Sequence, residues 1–424
     1  MGQAGMGGAV RALAGLIGVA GLLPLLSVAG CPSQEDPAVG TGGSGAATGG
    51  AAGAAGSSGV AGNSWDPVWH ETKPKDWTTY PPDNLPDCGD GCRIAMNLPL
   101  RNHASYGHVF SEKWFASSTA AGAGFSAVGS NVTAAVPIGP GSPLFPSVYG
   151  DFISYLRSFG VADGQVEVAN LITGETKIAF RYTPEEAGKN SVSNTVMGPR
   201  HVFWLFPGGI WARNLQSGEV KHIGGECWGY CTTQTSLICD SGTIRVIDPD
   251  TGSKKFLDYG GEWQTHGTCS PGRTQYAWID YRDPPGPGST EFNRSGGEVY
   301  VHDLKTGKTK RVTFDSPTSP RGKVYPAIDG DWVVWNEPGE SEDANPKTNA
   351  GLLGASTLVK FDMKTGQRCR LTSRPMRLWF KSLHGTRVYG SWFDLPSSEV
   401  WLADLDLEQP TLTWDCVPTP QWVP

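Results

Sequence analysis

Residue types able to do chemistry are present in this 424-residue sequence, but few stand at the spacings that chemistry requires. No Gly-x-Ser-x-Gly elbow offers a nucleophile, no His-Glu-x-x-His pair offers zinc ligands, and no phosphate loop or dinucleotide fingerprint occurs. Asp248-Pro249-Asp250-Thr251-Gly252 spaces its carboxylates as a calcium loop does. The same position is filled elsewhere by Asp303-Leu304-Lys305-Thr306-Gly307 and Asp362-Met363-Lys364-Thr365-Gly366, with lysine in place of the second carboxylate, so the segment reads as a structural turn. Of the eight histidines, His302 shares a column with Arg213 and Phe361 and reads as a strand residue. His266 and His384 are better placed, although a lone histidine is weak evidence for proton transfer. Were the chain to act on polysaccharide, Glu337, Glu340, Asp343, His266 and Arg282 would be the first suspects, because glycoside chemistry needs paired carboxylates.

The elements that would carry such residues follow from a repeat. Five segments share an Asx-x-x-[Ser/Thr]-Gly core: Asn170 to Gly174, Asn214 to Gly218, Asp248 to Gly252, Asp303 to Gly307 and Asp362 to Gly366. A sixth begins at Asp404 and keeps only the Asp and Leu405. Four residues before each Asx stands an aliphatic (Val166, Ile210, Ile244, Val299, Leu358, Val400), with a second position two before, which is the alternation of a half-buried strand entering a turn. The Asx side chain can close the corner on its own backbone, and the glycine accepts the positive φ that relinks the strands. A second hairpin precedes each core, clearest in Ala327 to Trp335 around Asp329-Gly330-Asp331. Two hairpins make a four-stranded unit, and six units between Pro146 and Cys416 have the size of propeller blades. So many strands in one open sheet would curl or split, whereas radial repetition closes a ring. The expectation is an all-β fold, a β-propeller of six blades. Strand-like stretches between Cys92 and Val136 (His108 to Phe110, Lys113 to Phe115, Phe125 to Val128) offer either a degenerate seventh blade or a wrap across the ring.

In such a ring both tight turns of a blade lie on one face, and the middle connections and blade crossings share the other. Asp283 to Gly297 and Glu337 to Ser356 are the two longest middle connections and fall in adjacent blades. Loops of that length commonly bind something or are disordered. The same face presents Trp228, Tyr230, Trp263, His266, Tyr325, Trp379 and Phe380, with Arg282, Arg321, Lys323, Arg374, Arg377 and Lys381 nearby. Aromatics that start inner strands also pack between blades, so the platform competes with a core role for each. As a platform it would suit a peptide, a carboxylate-bearing polymer or a sugar.

On these residues the chain resembles TolB-like six-bladed propellers, whose blades pair a Ser-Pro-Gly-type hairpin with a strand ending in Asp-Leu-x-Thr-Gly. Ser270-Pro271-Gly272 and Asp303-Leu304-Lys305-Thr306-Gly307 carry the resemblance best, and it covers about two thirds of the chain. It implies envelope or periplasmic binding of proteins or peptides and brings no shared catalytic set.

Upstream, residues 12 to 30 are uncharged and apolar after Arg11, as in a secretory signal peptide. They end in Leu26-Ser27-Val28-Ala29-Gly30-Cys31, which resembles the bacterial lipobox and implies acylation of Cys31. An uncleaved membrane helix is the alternative, but Gly15, Gly18, Gly21 and Pro24 make a poor helix. From Gly40 to Gly62 only Gly, Ala, Ser, Thr and Val occur, a composition that forms no core and serves as a tether. Setting Cys31 aside leaves Cys88, Cys92, Cys227, Cys231, Cys239, Cys269, Cys369 and Cys416, an even set in an exported chain. Proximity pairs Cys88 with Cys92, Cys227 with Cys231, Cys239 with Cys269 and Cys369 with Cys416, among the 105 connectivities that eight cysteines permit. A four-thiolate zinc site from Cys88, Cys92, Cys227 and Cys231 is the rival, disfavoured by three-residue spacers and an oxidising setting.

Composition bounds the rest. Glycine (57) and proline (32) make a turn-rich chain, and 16 tryptophans supply core. A net charge of -7 without a basic stripe argues against nucleic acid as partner. The expected organisation is a signal peptide at 1–30, a tether at 31–64, a wrap or degenerate blade at 65–145, the propeller at 146–416 and a tail at 417–424. The expected protein is a monomeric, lipid-anchored component of the bacterial envelope, at the outer membrane or facing the periplasm. It binds a protein, peptide or envelope polymer without catalytic residues, cofactor or metal. A carbohydrate-binding or polysaccharide-degrading propeller is the alternative, and recognition by the Trp65 to Pro86 segment, with Trp65, Trp69, Trp77 and Tyr80, is a third.

Overall fold

The computed structural model describes residues 77–422 except 81–84, 90, 101–108, 112, 120, 129, 131, 137–141, 159–162, 184, 186–192, 207, 226, 228, 241–242, 258–263, 271–272, 281–296, 315–322, 339–355, 374–377 and 395–398. Of two units, Met1–Gly59 and Val60–Pro424, only the second contains described residues. The leader, Cys31, the tether, Trp65 and Trp69 lie outside them.

Thirty strands form seven antiparallel sheets among the described residues. The first strands are β1 (Thr78–Tyr80), β2 (Cys92–Ile94), β3 (Val109–Phe110), β4 (Trp114–Thr119), β5 (Gly122–Ala127) and β6 (Thr133–Ala135). Blade 1 has the order β1-β6-β5-β4-β3. Blade 2 holds β7 (Ser142–Tyr149), β8 (Phe152–Ser158), β9 (Gly164–Asn170) and β10 (Thr176–Tyr182). Blade 3 holds β11 (Ser193–Met197), β12 (His201–Phe206), β13 (Gly209–Asn214) and β14 (Val220–Gly224). In blade 4 the strands are shorter: β15 (Gly229–Thr232), β16 (Leu237–Asp240), β17 (Ile244–Ile247) and β18 (Lys254–Leu257). Blade 5 contains β19 (Gln264–Cys269), β20 (Gln275–Asp280), β21 (Glu298–Asp303) and β22 (Lys308–Arg311). Blade 6 contains β23 (Val324–Asp329), β24 (Trp332–Pro338), β25 (Ser356–Asp362) and β26 (Gln367–Leu371). Blade 7 is built from β27 (Leu378–His384), β28 (Arg387–Asp394) and β29 (Glu399–Asp406), with β2 as its outer strand, and β30 (Trp414–Pro418) returns as a fifth strand on blade 6.

The six repeats are thus six of seven blades. The strand-like stretches after Cys92 supply the seventh, blade 1, except that β2 belongs to the last blade. β2 pairs with β29 (Ile94 opposite Ala403), so the final blade combines both parts of the chain. Arg93 Nε reaches Asp404 Oδ2 at 2.5 Å across that pairing. Phe115 of blade 1 meets Tyr389 of blade 7 at 4.7 Å between ring centres, within a buried cluster of Ala95, Met96, Leu100, Val400 and Leu402.

The corners close as the Asx residues dictate. Asn170 Oδ1 accepts from the Ile172 and Thr173 N–H groups, Asp303 Oδ1 from Lys305 N–H and Asp362 Oδ1 from Lys364 N–H. Gly174, Gly218, Gly252, Gly307 and Gly366 follow with φ between 68° and 75°. One register is corrected. In the last repeat the corner residue is Asp406, whose Oδ1 accepts from Glu408 N–H, and not Asp404. Asp404 is buried on β29 between Arg93 and Arg387, a carboxylate the repeat lacks elsewhere in that column, and this shifted the apparent column by two.

Three of the third strands are buried on both faces rather than one: Gly164 to Ala169, Glu298 to His302 and Val400 to Leu405 are consecutive buried residues of β9, β21 and β29. Each blade is covered by its neighbours on both sides, which places the core in the seams. Ala277, Ile279, Val299 and Val301 of blade 5 pack against Ile328, Val333, Trp335 and Phe361 of blade 6. Each fully buried Val, Ile or Phe among them contributes about 1.5–3 kcal/mol.

The four disulfides correct two of the expected pairings. Cys88–Cys92 and Cys369–Cys416 form as expected, but Cys227 joins Cys239 and Cys231 joins Cys269. Cys88 and Cys92 are brought together by a turn in which Gly89 and Gly91 have φ of 85° and 70°. Cys239 on β16 stands opposite Tyr230 of β15 and takes Cys227, while Cys231, on β15 itself, reaches Cys269 of β19. Cys231 instead clamps the first strands of blades 4 and 5 to each other.

Candidate functional site

In the six repeats the first strand lines the inside of the ring, because these strands bond to one another. Thr195 Oγ1 of β11 donates to the Phe145 carbonyl of β7, Thr232 Oγ1 of β15 to Met197 of β11, and Thr268 Oγ1 of β19 to Pro326 of β23. The tight corners collect at one end. Leu171, Leu215, Leu304, Met363 and Leu407 N–H groups, each just past an Asx, donate at 2.8 Å to the first-hairpin turn of the same blade. The middle connections therefore share the opposite face, as expected. Residues 281–296 and 339–355, the bulk of the two long connections, lie outside the described residues.

At their loop-face ends the inner strands share a feature not legible as a motif. Register shifts occur between Leu144 and Ser147, Ser193 and Thr195, Thr265 and Thr268, Val324 and Ala327, and Trp379 and Ser382. These five bulges occupy one column, and only β15 of the six repeats pairs without a shift. Phe145, Asn194 and Tyr325 hold φ of 51°, 66° and 52° there. A positive φ is costly for aromatic residues and persists only where surroundings over-determine it, commonly at sites that re-aim side chains. Phe145 and Asn194 thus join the candidate column, and the signals for them were Phe145-Pro146 matching Tyr325-Pro326 and the tolerance of Asn for positive φ.

The expected site residues divide accordingly. Tyr230 on β15, His266 on β19, Tyr325 on β23 and Trp379 on β27 come to the loop-face ends of inner strands in four consecutive blades. Tyr325 is half-buried. Trp228, Trp263 and Arg282 lie outside the described residues, as do Arg321, Arg374, Arg377, Glu340 and Asp343. Two suspects are reassigned. Lys323 is fully buried, with Nζ donating to the Gly297 carbonyl at 3.0 Å and 3.2 Å from Glu298 Oε2, so it ties blade 6 to blade 5 and is no part of an exposed platform. Glu337 is fully buried between Arg368 and Arg370, 2.6 Å from the latter's Nη2, and accepts from Trp335 Nε1 at 2.8 Å. Burial pushes its carboxyl up, but Arg368, the indole and Arg370 more than offset this and hold it below the usual range. A carboxylate so paired is no general acid.

His384 stands at the opposite, tight-turn end of β27. Its Nδ1 is 3.6 Å from Asp329 Oδ2, while Asp329 also accepts from Ser270 Oγ and the Gly385 N–H and pairs with Arg273. Asp329 thereby ties blades 5, 6 and 7. His302 is a buried strand residue bonded to Thr309 Oγ1, and burial followed by Lys255 pushes its pKa down. Asp250 pairs with Arg200 and His201 across the seam between blades 3 and 4, so it too serves structure. Among the described residues no group of three or more His, Cys, Asp or Glu is arranged to hold a metal ion, and no helix is long and apolar enough to cross a membrane.

The sequence matches no protein-family model and no curated protein. Among solved structures, one similar to it is an oligogalacturonate lyase in complex with manganese, at 13% identity and a TM-score of 0.51 over 81% of this chain and 99% of that one. Others are the β-propeller domain of the Trilobed protease from Pyrococcus furiosus (12% identity, TM-score 0.44, 66% of this chain and 83% of that one) and TolB from Acinetobacter baumannii (15% identity, TM-score 0.34, 80% and 69%). At such identities the likeness concerns fold alone, and the fold, read from the sheets themselves, is an all-β propeller of four-stranded blades.

Proposed function

We propose that this protein is a binding propeller of the bacterial cell envelope, held to a membrane through acylated Cys31, that takes a protein, peptide or envelope polymer on its loop face without catalysis. The observation that carries this reading is that inner strands of four consecutive blades bring Tyr230, His266, Tyr325 and Trp379 to one end of the ring, the last three beside the shared column of bulges. Aromatic residues at the loop-face ends of inner strands favour contact area over chemistry. Disulfides support an oxidising compartment. The body is taken as a monomer, with no nucleic acid as partner. Immobilised full-length protein, offered arrayed envelope proteins, peptides and glycans, should retain a ligand that Tyr325→Ala and Trp379→Ala release at least tenfold more readily. Retention unaffected by both substitutions would refute the site.

A second reading, a propeller that binds or degrades polysaccharide, draws on His266, which lies within the bulge of β19. Oligogalacturonate is a natural first substrate to offer, with and without manganese. Chain cleavage abolished by His266→Ala would favour this reading over the first.

A further inference from the structure

We propose that the outer edge of blade 4 is a second interaction surface, which accepts an extended acidic peptide segment as an added strand on β18. The surface is remote from the loop-face mouth and does not rest on that reading.

The first observation is a concentration of unpaired charge. Among the described residues Lys113, Lys177, Lys221, Lys323 and Lys364 each have a carboxylate partner. Lys254 and Lys255 on β18, and Lys305 and Lys308 on the neighbouring corner of blade 5, have none and are exposed. Burial and then the charge of Lys255 push the pKa of His302 in blade 5 down. The nearest corner carboxylates are occupied: Asp248 Oδ1 accepts from Asp250 and Thr251 N–H, and Asp303 Oδ1 from Lys305 N–H and Thr274 Oγ1. A cationic rim on a chain of net charge -7 suits an anionic partner.

The second observation is an open edge. β18 is the outermost strand of its sheet, and Phe256 in its middle is 58% exposed. Asp248 N–H donates to the Ser253 carbonyl, so backbone bonding alternates from there. Lys255 and Leu257 bond inward to β17, while the N–H and C=O groups of Lys254 and Phe256 face outward.

The third observation decides between a peptide and another polyanion, because this fold already adds such a strand one blade pair away. β26 of blade 6 (Gln-Arg-Cys-Arg-Leu) is capped by β30 (Trp-Asp-Cys-Val-Pro), with Arg370 opposite Asp415 and Arg368 opposite Val417. Lys254 and Phe256 occupy the positions of Arg368 and Arg370 in the blade repeat. Blade 4 therefore presents the same kind of edge without its cap. Edge lysines also deter unwanted pairing, and that role predicts rejection of every strand, whereas charge complementarity predicts acceptance of acidic ones.

The test uses the full-length protein and a fluorescein-labelled decapeptide of alternating aspartate and valine, followed by anisotropy at low salt. Binding is expected, weakened at least tenfold by Phe256→Pro, which removes an outward N–H and no internal hydrogen bond. Lys254→Glu with Lys255→Glu should weaken it as much, with melting temperatures unchanged for both variants. Polyglutamate and polygalacturonate should respond to the charge reversal alone. No decapeptide binding, or binding indifferent to Phe256→Pro, overturns the proposal. Tyr325→Ala leaves this binding intact, so the loop-face reading and this one fail separately.

Discussion

Replacing Glu337 by Gln tests whether this carboxylate is a structural ion-pair centre or a catalytic group. Gln keeps the acceptor for Trp335 Nε1 and the side-chain volume but leaves Arg368 and Arg370 without a counter-charge. Removing one member of a buried pair costs about 3–5 kcal/mol. The two arginine side chains retain 22% and 27% exposure and can partly rehydrate, which sets the expectation at the lower end, about 3 kcal/mol. For a body of this size that is roughly 4 °C in melting temperature. The pH dependence has a definite sign. The folded pKa of Glu337 lies below its unfolded value, so its contribution is complete above the ordinary Glu range and is lost as pH falls through the lowered folded pKa. Urea midpoints of wild type and Glu337→Gln should therefore differ by a constant amount from about pH 5 upward and draw together progressively as pH falls below the ordinary Glu range. Replacing Glu337, Arg368 and Arg370 together by Met should recover much of the loss. A gap under about 1 kcal/mol, or one that does not close in acid, would refute the assignment.

Further outcomes follow from the same contacts. Asp329→Ala leaves Ser270, Arg273 and the Gly385 N–H without their shared acceptor and should cost roughly 3 kcal/mol, with faster hydrogen exchange in β19 and β27. Removing the Cys369–Cys416 bond by a double Ser substitution frees a link of sequence separation 47 and should cost about 4 kcal/mol, exposing β30 to proteolysis first. Tyr182, pushed up to about 12 by burial and then by Asp163, stays protonated where ordinary tyrosines ionise. Its support is complete below the unfolded value near 10 and is lost as pH rises toward 12, so Tyr182→Phe should flatten the alkaline fall in stability.

Sequence alone fixed the repeating unit, because an Asx side chain closing on its own backbone and a glycine with positive φ are local demands. Residues within five positions satisfy them, so Asn170, Asn214, Asp248, Asp303 and Asp362 were readable as corners and the all-β ring followed. Blade 1 was harder to read, since its corners lack the Asx-to-Gly core, and Asp404 mimicked a corner because an isolated Asp looks alike in a turn and in a buried ion pair. Long-range matters were decided only in three dimensions. Which cysteine meets which depends on the extended path of β15 and on the approach of β19. Whether Glu337 or Lys323 faces solvent depends on what the adjacent strand and blade place against it. The bulges at Phe145, Asn194 and Tyr325 arise where inner strands of neighbouring blades bond sideways. Local backbone preferences are written in a few consecutive residues, whereas burial and partnership are set by surfaces that meet only after the ring has closed.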